Sequence, residues 1–255
     1  MDALLTALVV VVLIVVAAFA GSSLGRRLPS HHLSEASKDI VKFGAGTIAT
    51  LAALVLGLLV ASAKSSYDAK VAETEQSAAK VILLDQLLRQ YGPDAKPARE
   101  ILRNTLIARY NMTWVHSQSV EVAEGKTAGR PAMGADAIRA AIFALVPVND
   151  AQRSLQTRAL QAVDDFTQMR WLFIAQSTEG MSIPLLIVLV IWFMTVSFST
   201  ALYAPRNGTI AAVAVLSAIS VGAAIFLIAE MYTPFSGMLR IPDAPMRAAL
   251  HYLES

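Results

Sequence analysis

The chain has no cysteine at all. That excludes a disulfide framework, thiol chemistry and thiolate metal sites. Charge is scarce as well. Asp, Glu, Lys and Arg make up 16% of the residues, and the 21 basic side chains are spread out without a run of four. A net charge of +2 so distributed is no footprint for nucleic acid, and no nucleic-acid partner is expected. No Ser/His/Asp set and no paired carboxylates occur at a telling spacing, so neither an enzyme nor a cofactor is indicated. The alternating apolar and polar pattern of a membrane β-barrel is missing too.

What the chain does have is four long apolar runs: Leu4–Ala20, Phe43–Ala63, Ile183–Ala204 and Thr209–Ala229. The last three contain no Asp, Glu, Lys or Arg over at least 21 residues each. A 20-residue helix rises about 30 Å, the thickness of the bilayer hydrocarbon. Helices satisfy their own backbone polar groups in lipid. The runs therefore predict an all-α polytopic membrane protein with four transmembrane helices and with the lipid bilayer as its first partner. The first run is not read as a cleaved signal peptide, although Ala18-Phe19-Ala20 resembles a cleavage site. No basic residue precedes Leu4, the run is long, and Arg26-Arg27 follows it as a stop-transfer signal would.

The spans divide the chain into four parts: helices one and two (1–63), a helical extramembrane domain (64–180), helices three and four (181–232), and an interfacial C-terminal tail (233–255). The middle part carries a heptad seam, Tyr67, Val71, Thr74, Ala78, Val81, Asp85 and Leu88, that continues the second span and is weakened by Thr74 and Asp85. Gly92-Pro93 ends it. A second helix is predicted from Lys96 to Glu124, with Ile101, Thr105, Ala108, Met112 and Val115 on one face. A loop follows at Gly125–Gly134, then a short helix, Asp136–Val146, capped by Asp136. The last helix of this part carries Leu155, Ala159, Ala162, Phe166, Met169 and Phe173, with a break expected at Gly180 and Pro184. The second and third spans are thus expected to leave the membrane as long helical stems.

Two weak signals are set aside. Gly125-Lys126-Thr127 resembles the end of a phosphate loop, but Val120 stands where that loop needs glycine, and no strand precedes it. His31-His32 point to different sides of a helix, which is poor ligand geometry even with Glu35 near, so no metal is expected. The intramembrane polar residues weigh more. Thr195 and Ser199 mark one side of the third span, with Thr200 on the adjacent face, and Ser217 and Ser220 mark the fourth. Ala49, Ala53, Gly57 and Ala61 form a small-residue ridge on the second. Close helix packing is the preferred reading, and a hydrated path lined by hydroxyls is the alternative.

Glu230, at the edge of the fourth span, is a candidate pore or gating group, or else an interfacial carboxylate paired with Arg240 or Arg206. After it, Pro234, Phe235, Gly237 and Arg240 form an apolar, arginine-ended motif expected to lie along the interface or to pack under the bundle.

Four stretches carry a family resemblance: Leu28–Ser34 followed by Asp39; Ala53–Tyr67; Ala204-Pro205-Arg206-Asn207; and Pro234–Ile241 followed by Ala244-Pro245. On these the chain resembles the bestrophin-like domain family of bacterial four-span membrane proteins. The resemblance implies kinship with bestrophins, pentameric anion channels with a helical cytosolic region. It suggests a cyclic homo-oligomer that passes inorganic ions and sits in the bacterial inner membrane. The aromatic-lined neck of bestrophins has no counterpart here, since Phe43, at one end, is the second span's only aromatic residue. Two functions therefore stand side by side: an oligomeric, bestrophin-like ion channel, or a non-conducting scaffold or sensor acting through its helical domain.

The basic residues leave two orientations open. The short loops carry Arg26, Arg27, Lys38, Lys42 and Arg206, and counting these alone leans to a cytoplasmic side for the loops and a periplasmic helical domain. Lys64, Lys70, Arg170, Arg240 and Arg247 equal that count on the other face, and bestrophin analogy favours a cytosolic domain.

Overall fold

The computed structural model describes residues 3–27, 29, 34–115, 130–176, 182–205, 207–235 and 237–254. Among them there are eight α-helices and no strand. They are α1 (Ala3–Leu24), α2 (Glu35–Tyr91), α3 (Lys96–Tyr110), α4 (Arg130–Phe143), α5 (Asp150–Gln176), α6 (Ile183–Tyr203), α7 (Gly208–Tyr232) and α8 (Ala244–Glu254). Helices α1, α2, α6 and α7 are long and apolar enough to cross a membrane. The chain forms two compact units, residues 1–67 with 180–233 and residues 68–179 with 234–255.

In the first unit α1 packs on both α6 and α7. Val10 and Ile14 meet Leu186, Val190, Ala218 and Ile225 in one buried cluster. Glycines set how closely these helices approach. A Cβ at Gly21 would run into the backbone oxygen of Phe198, and one at Gly25 into that of Leu202. At Gly222 it would meet the Val11 side chain. Such small residues let backbones come together where lipid supplies no hydrophobic drive. Asn207 caps α7, its Oδ1 accepting the Ile210 N–H at 2.9 Å. Pro184 lies in the first turn of α6, where its missing N–H costs nothing.

α2 runs unbroken from Glu35 to Tyr91, through the Ala63–Tyr67 stretch where a break would have ended the continuous-stem expectation. In the first unit one narrow side of it is buried, Ala45, Ala52, Leu59 and Ala63. These last three pack with Leu189 and Ile228, flanked by Trp192, Phe193, Met231 and Tyr232.

The second unit has a core of its own. Ala78, Val81, Leu84, Leu87 and Leu88 of α2 meet Leu102 and Leu106 of α3, Ile138 and Ile142 of α4, Ala159 and Val163 of α5, and Met246, Ala249 and Leu253 of α8. Of the heptad residues Thr74, Ala78, Val81, Asp85 and Leu88 are buried, while Tyr67 and Val71 are half-buried. Thr74 is accommodated by donating to the Lys70 carbonyl at 2.9 Å. Gly92 takes a positive φ of 117° and ends α2 as expected. The terminal Tyr91 carbonyl accepts from Gln152 at 3.0 Å.

Three expectations need correction. α4 begins at Arg130, not Asp136, and ends at Phe143. Gly134 reads as a loop residue, yet it sits inside the helix, where a Cβ would press on the Thr105 methyl. The buried face of α3 is Ala98, Leu102 and Leu106, one position round from the predicted stripe, and Met112 is exposed. After Tyr110 the helix widens into a π turn, Asn111–Val115. The third concerns the C-terminal segment, read as a tail. It holds α8, whose apolar side enters the core of the second unit. The expected end of the second helix at Glu124, the Gly125-Lys126-Thr127 loop, His31, His32, Arg206 and the break at Gly180 lie outside the described residues.

Candidate functional site

α2 shows three sides within its apolar run. The first is the buried seam. The second carries Leu51, Leu54 and Leu58, all large and exposed, as a lipid-facing surface should be. The third combines Gly46, Thr50, Ala53 and Gly57, which fall together at helical spacing and are exposed. Ala49, half-buried, and Ala61, exposed, flank it. Nothing lies within 4 Å of the position a Cβ would take on Gly46 or Gly57. Among the described residues the small-residue ridge thus has no partner helix at Gly46 and Gly57. Thr50 donates its hydroxyl to the Gly46 carbonyl at 3.0 Å. Charges bracket this side. Asp39 and Lys42 lie before it, 3.8 Å apart, and Lys64 lies after it, over the Tyr67 ring.

The other sequence-derived candidates are placed on α6 and α7. Thr195 is exposed on α6 beside Val188 and Ile191, and its hydroxyl donates to the Ile191 carbonyl at 2.8 Å. Thr200 bonds back to Val196 in the same way. Ser199 is half-buried. On α7, Ser217 and Ser220 are exposed, and Ser220 donates to Leu216 at 2.8 Å. Back-bonding of this kind lets a helix carry hydroxyls in hydrocarbon. Glu230 is 6% exposed at the end of α7, and it is engaged rather than free. Among the described residues no group of His, Asp and Glu could hold a metal ion.

The Pro234–Arg240 motif is built into the second unit. Pro234 is buried, and its carbonyl accepts from the Ile241 N–H at 2.9 Å, which closes the loop at its base. Trp114, presented by the π turn, donates its indole N–H to the Ile241 carbonyl at 3.2 Å. Phe235 meets the Trp114 ring edge-on with centroids 5.8 Å apart, and Tyr110 stacks on the same ring at 5.6 Å. Gly237 has a φ of 93°, which suits glycine. Arg240 donates to the Gly237 carbonyl at 3.1 Å. The motif is legible in the sequence. Its anchors, Tyr110 and Trp114, are not, because nothing in their spacing points 120 residues onward.

Tyr110 also donates its hydroxyl to Asp243 at 2.7 Å. That hydrogen bond, then burial and the carboxylate charge, raise the phenol above its ordinary value of 10.0, with Arg247 opposing. A raised acid contributes stability below its unfolded value and loses it as pH climbs through the folded one. Tyr110→Phe should therefore lower stability by about 1 kcal/mol at neutral pH. It should also flatten the alkaline limb above pH 10, where the wild type declines further. Chemical unfolding at neutral and alkaline pH checks both.

Taken together, the helices and their exposed apolar sides define an all-α membrane protein with four candidate spans. Its family is also established. The bestrophin-like domain matches residues 12–246, and the chain belongs to that family. No curated protein and no solved structure matches the chain.

Proposed function

We propose that this chain assembles as a cyclic homo-oligomer in which the small, hydroxyl-bearing side of α2 from each copy lines a central ion path. One observation carries the reading: Gly46, Thr50, Ala53 and Gly57 are exposed together on a candidate span whose other sides are packed or, apart from Thr47, carry mostly large apolar residues. Lipid tails are matched by Leu and Ile, whereas a side of glycine, alanine and threonine suits a lumen or a second helix. Lys42, Asp39 and Lys64 would stand at its ends. Membership of the bestrophin-like family makes anions the first ions to test. On this reading the second unit is a helical domain outside the bacterial inner membrane, facing the periplasm by the short-loop charge count.

Because the chain lacks cysteine, single cysteines report directly. In liposomes, Thr50→Cys, Ala53→Cys and Gly57→Cys should react with a membrane-impermeant methanethiosulfonate cation and reduce ion flux. Leu54→Cys and Leu58→Cys should do neither. Equal silence on both sides, or a monodisperse monomer by native mass spectrometry, would contradict the path. A second reading, a non-conducting scaffold or sensor, draws on the α4–α5 turn. There Phe143, Val146 and Val148 are 77%, 82% and 82% exposed, an apolar tip available to another protein. An intact oligomer without flux would favour it.

A further inference from the structure

In the second unit α2 carries a second seam besides its packed one. Ala69, Ala72, Gln76, Ala79 and Leu83 follow one another at alternating spacings of three and four. All are exposed except Ala72, which is half-buried. Gln86 extends the series and donates its amide to the Tyr252 hydroxyl at 2.9 Å. No residue of the series is charged. Water-facing sides elsewhere in the unit are charged: α3 exposes Lys96, Glu100 and Arg103, and α5 exposes Arg153, Arg158 and Asp165. α2 has charge to spare over the same stretch, yet Lys70, Glu73, Glu75 and Lys80 all fall off the seam. An uncharged side that repeats every 3.5 residues is the pattern of a helix facing another helix.

We propose that this seam joins the second units of neighbouring copies, with α2 lying parallel and in register against the same stretch of α2 in the next copy. Charge complementarity identifies the occupant. Glu75 and Lys80 stand on opposite shoulders of the seam, just before Gln76 and just after Ala79. Five residues apart, they do not face each other along their own helix. Neither forms an ion pair among the described residues. Between parallel helices in register, the residue before one seam position faces the residue five places later on the neighbour, so Glu75 of one copy meets Lys80 of the next. Antiparallel helices set like shoulders together and leave both charges unmatched. Asp68 and Glu73, nearer the start of the seam, are already engaged within their own chain. The alanines let two helices approach closely, and a Gln76 amide can both donate to and accept from its copy. The inference rests on the self-association proposed above and not on conduction.

The test uses the full cysteine-free chain in liposomes, with single cysteines and copper–phenanthroline oxidation. Gln76→Cys and Leu83→Cys should each form covalent dimers several-fold faster than Arg158→Cys on the exposed side of α5. Adding Glu75→Lys or Lys80→Glu should slow the Leu83→Cys reaction several-fold, and adding both should restore it. Rates equal to the Arg158→Cys control, in a chain that native mass spectrometry shows to be oligomeric, would overturn the seam and leave the assembly standing. A double reversal as slow as the single ones would overturn the Glu75–Lys80 register. A monomeric chain would overturn the seam and the assembly together. Fast, charge-dependent crosslinking without ion flux would uphold the seam and count against the ion path alone.

Discussion

Asp85→Asn is expected to be the most destabilising isosteric change in the second unit, at about 3 kcal/mol. Asp85 is 1% exposed in the α2 seam. It accepts Arg89 Nε at 2.6 Å and Arg99 Nε at 2.7 Å. Arg89 goes on to the Tyr252 carbonyl at 2.7 Å, with its guanidinium 5.1 Å from the Tyr252 ring. One carboxylate thus joins α2, α3 and α8. An amide in its place leaves two guanidinium groups facing each other without a counter-charge. The low end of the range for broken buried pairs applies, because each arginine is nearly a third exposed and partly screened. The exposed pair Arg139–Asp164 gives the comparison, and Asp164→Asn should cost no more than about 1 kcal/mol. A triple apolar replacement, Asp85→Leu with Arg89→Met and Arg99→Leu, should recover most of the loss, since the penalty lies in the unpaired charges and not in the missing pair. Urea unfolding in detergent measures all three, and a loss below that of Asp164→Asn would refute the assignment.

Asp85 also shows where sequence reading stops. As a position in a heptad it reads as a flaw in the seam, because a one-dimensional pattern prices a charge by its neighbours along the helix. Arg89 is such a neighbour, four residues on. Arg99 arrives only after Gly92 and Pro93 turn the chain back. The same holds for Trp114 and Ile241, and for α8, whose Met246, Ala249 and Leu253 gain meaning only against the core they fill. By contrast, the four spans, the end of α2 at Gly92 and the buried heptad are local consequences of hydrophobic run length, glycine's φ freedom and helical period, and those were legible. The α2 ridge was legible as a pattern, while its partner was not. Gly57 has open space beside it in one chain.

Helix packing in the first unit rests instead on Gly21 and Gly25, a pair at spacing four whose signal was present in the sequence but overshadowed by the longer ridge. Gly21→Ala and Gly25→Ala should each destabilise the membrane unit by about 1–3 kcal/mol, and together by more. Each added methyl meets a backbone carbonyl of α6, Phe198 for Gly21 and Leu202 for Gly25, which no side-chain rotation can relieve. The helices must part, and the Val10–Ile14 cluster with Leu186 and Val190 loosens with them. Gly222→Ala should cost less, because its obstacle is the Val11 side chain, which can turn. Gly57→Ala should cost nothing within one chain, and its better helix propensity should offset any small loss. Thermal unfolding in detergent orders the four variants. Gly57→Leu then separates fold from assembly: unchanged unfolding with a changed oligomeric state would put the α2 ridge between copies. Gly21→Ala losing no stability would show that α1 and α6 do not meet through these glycines.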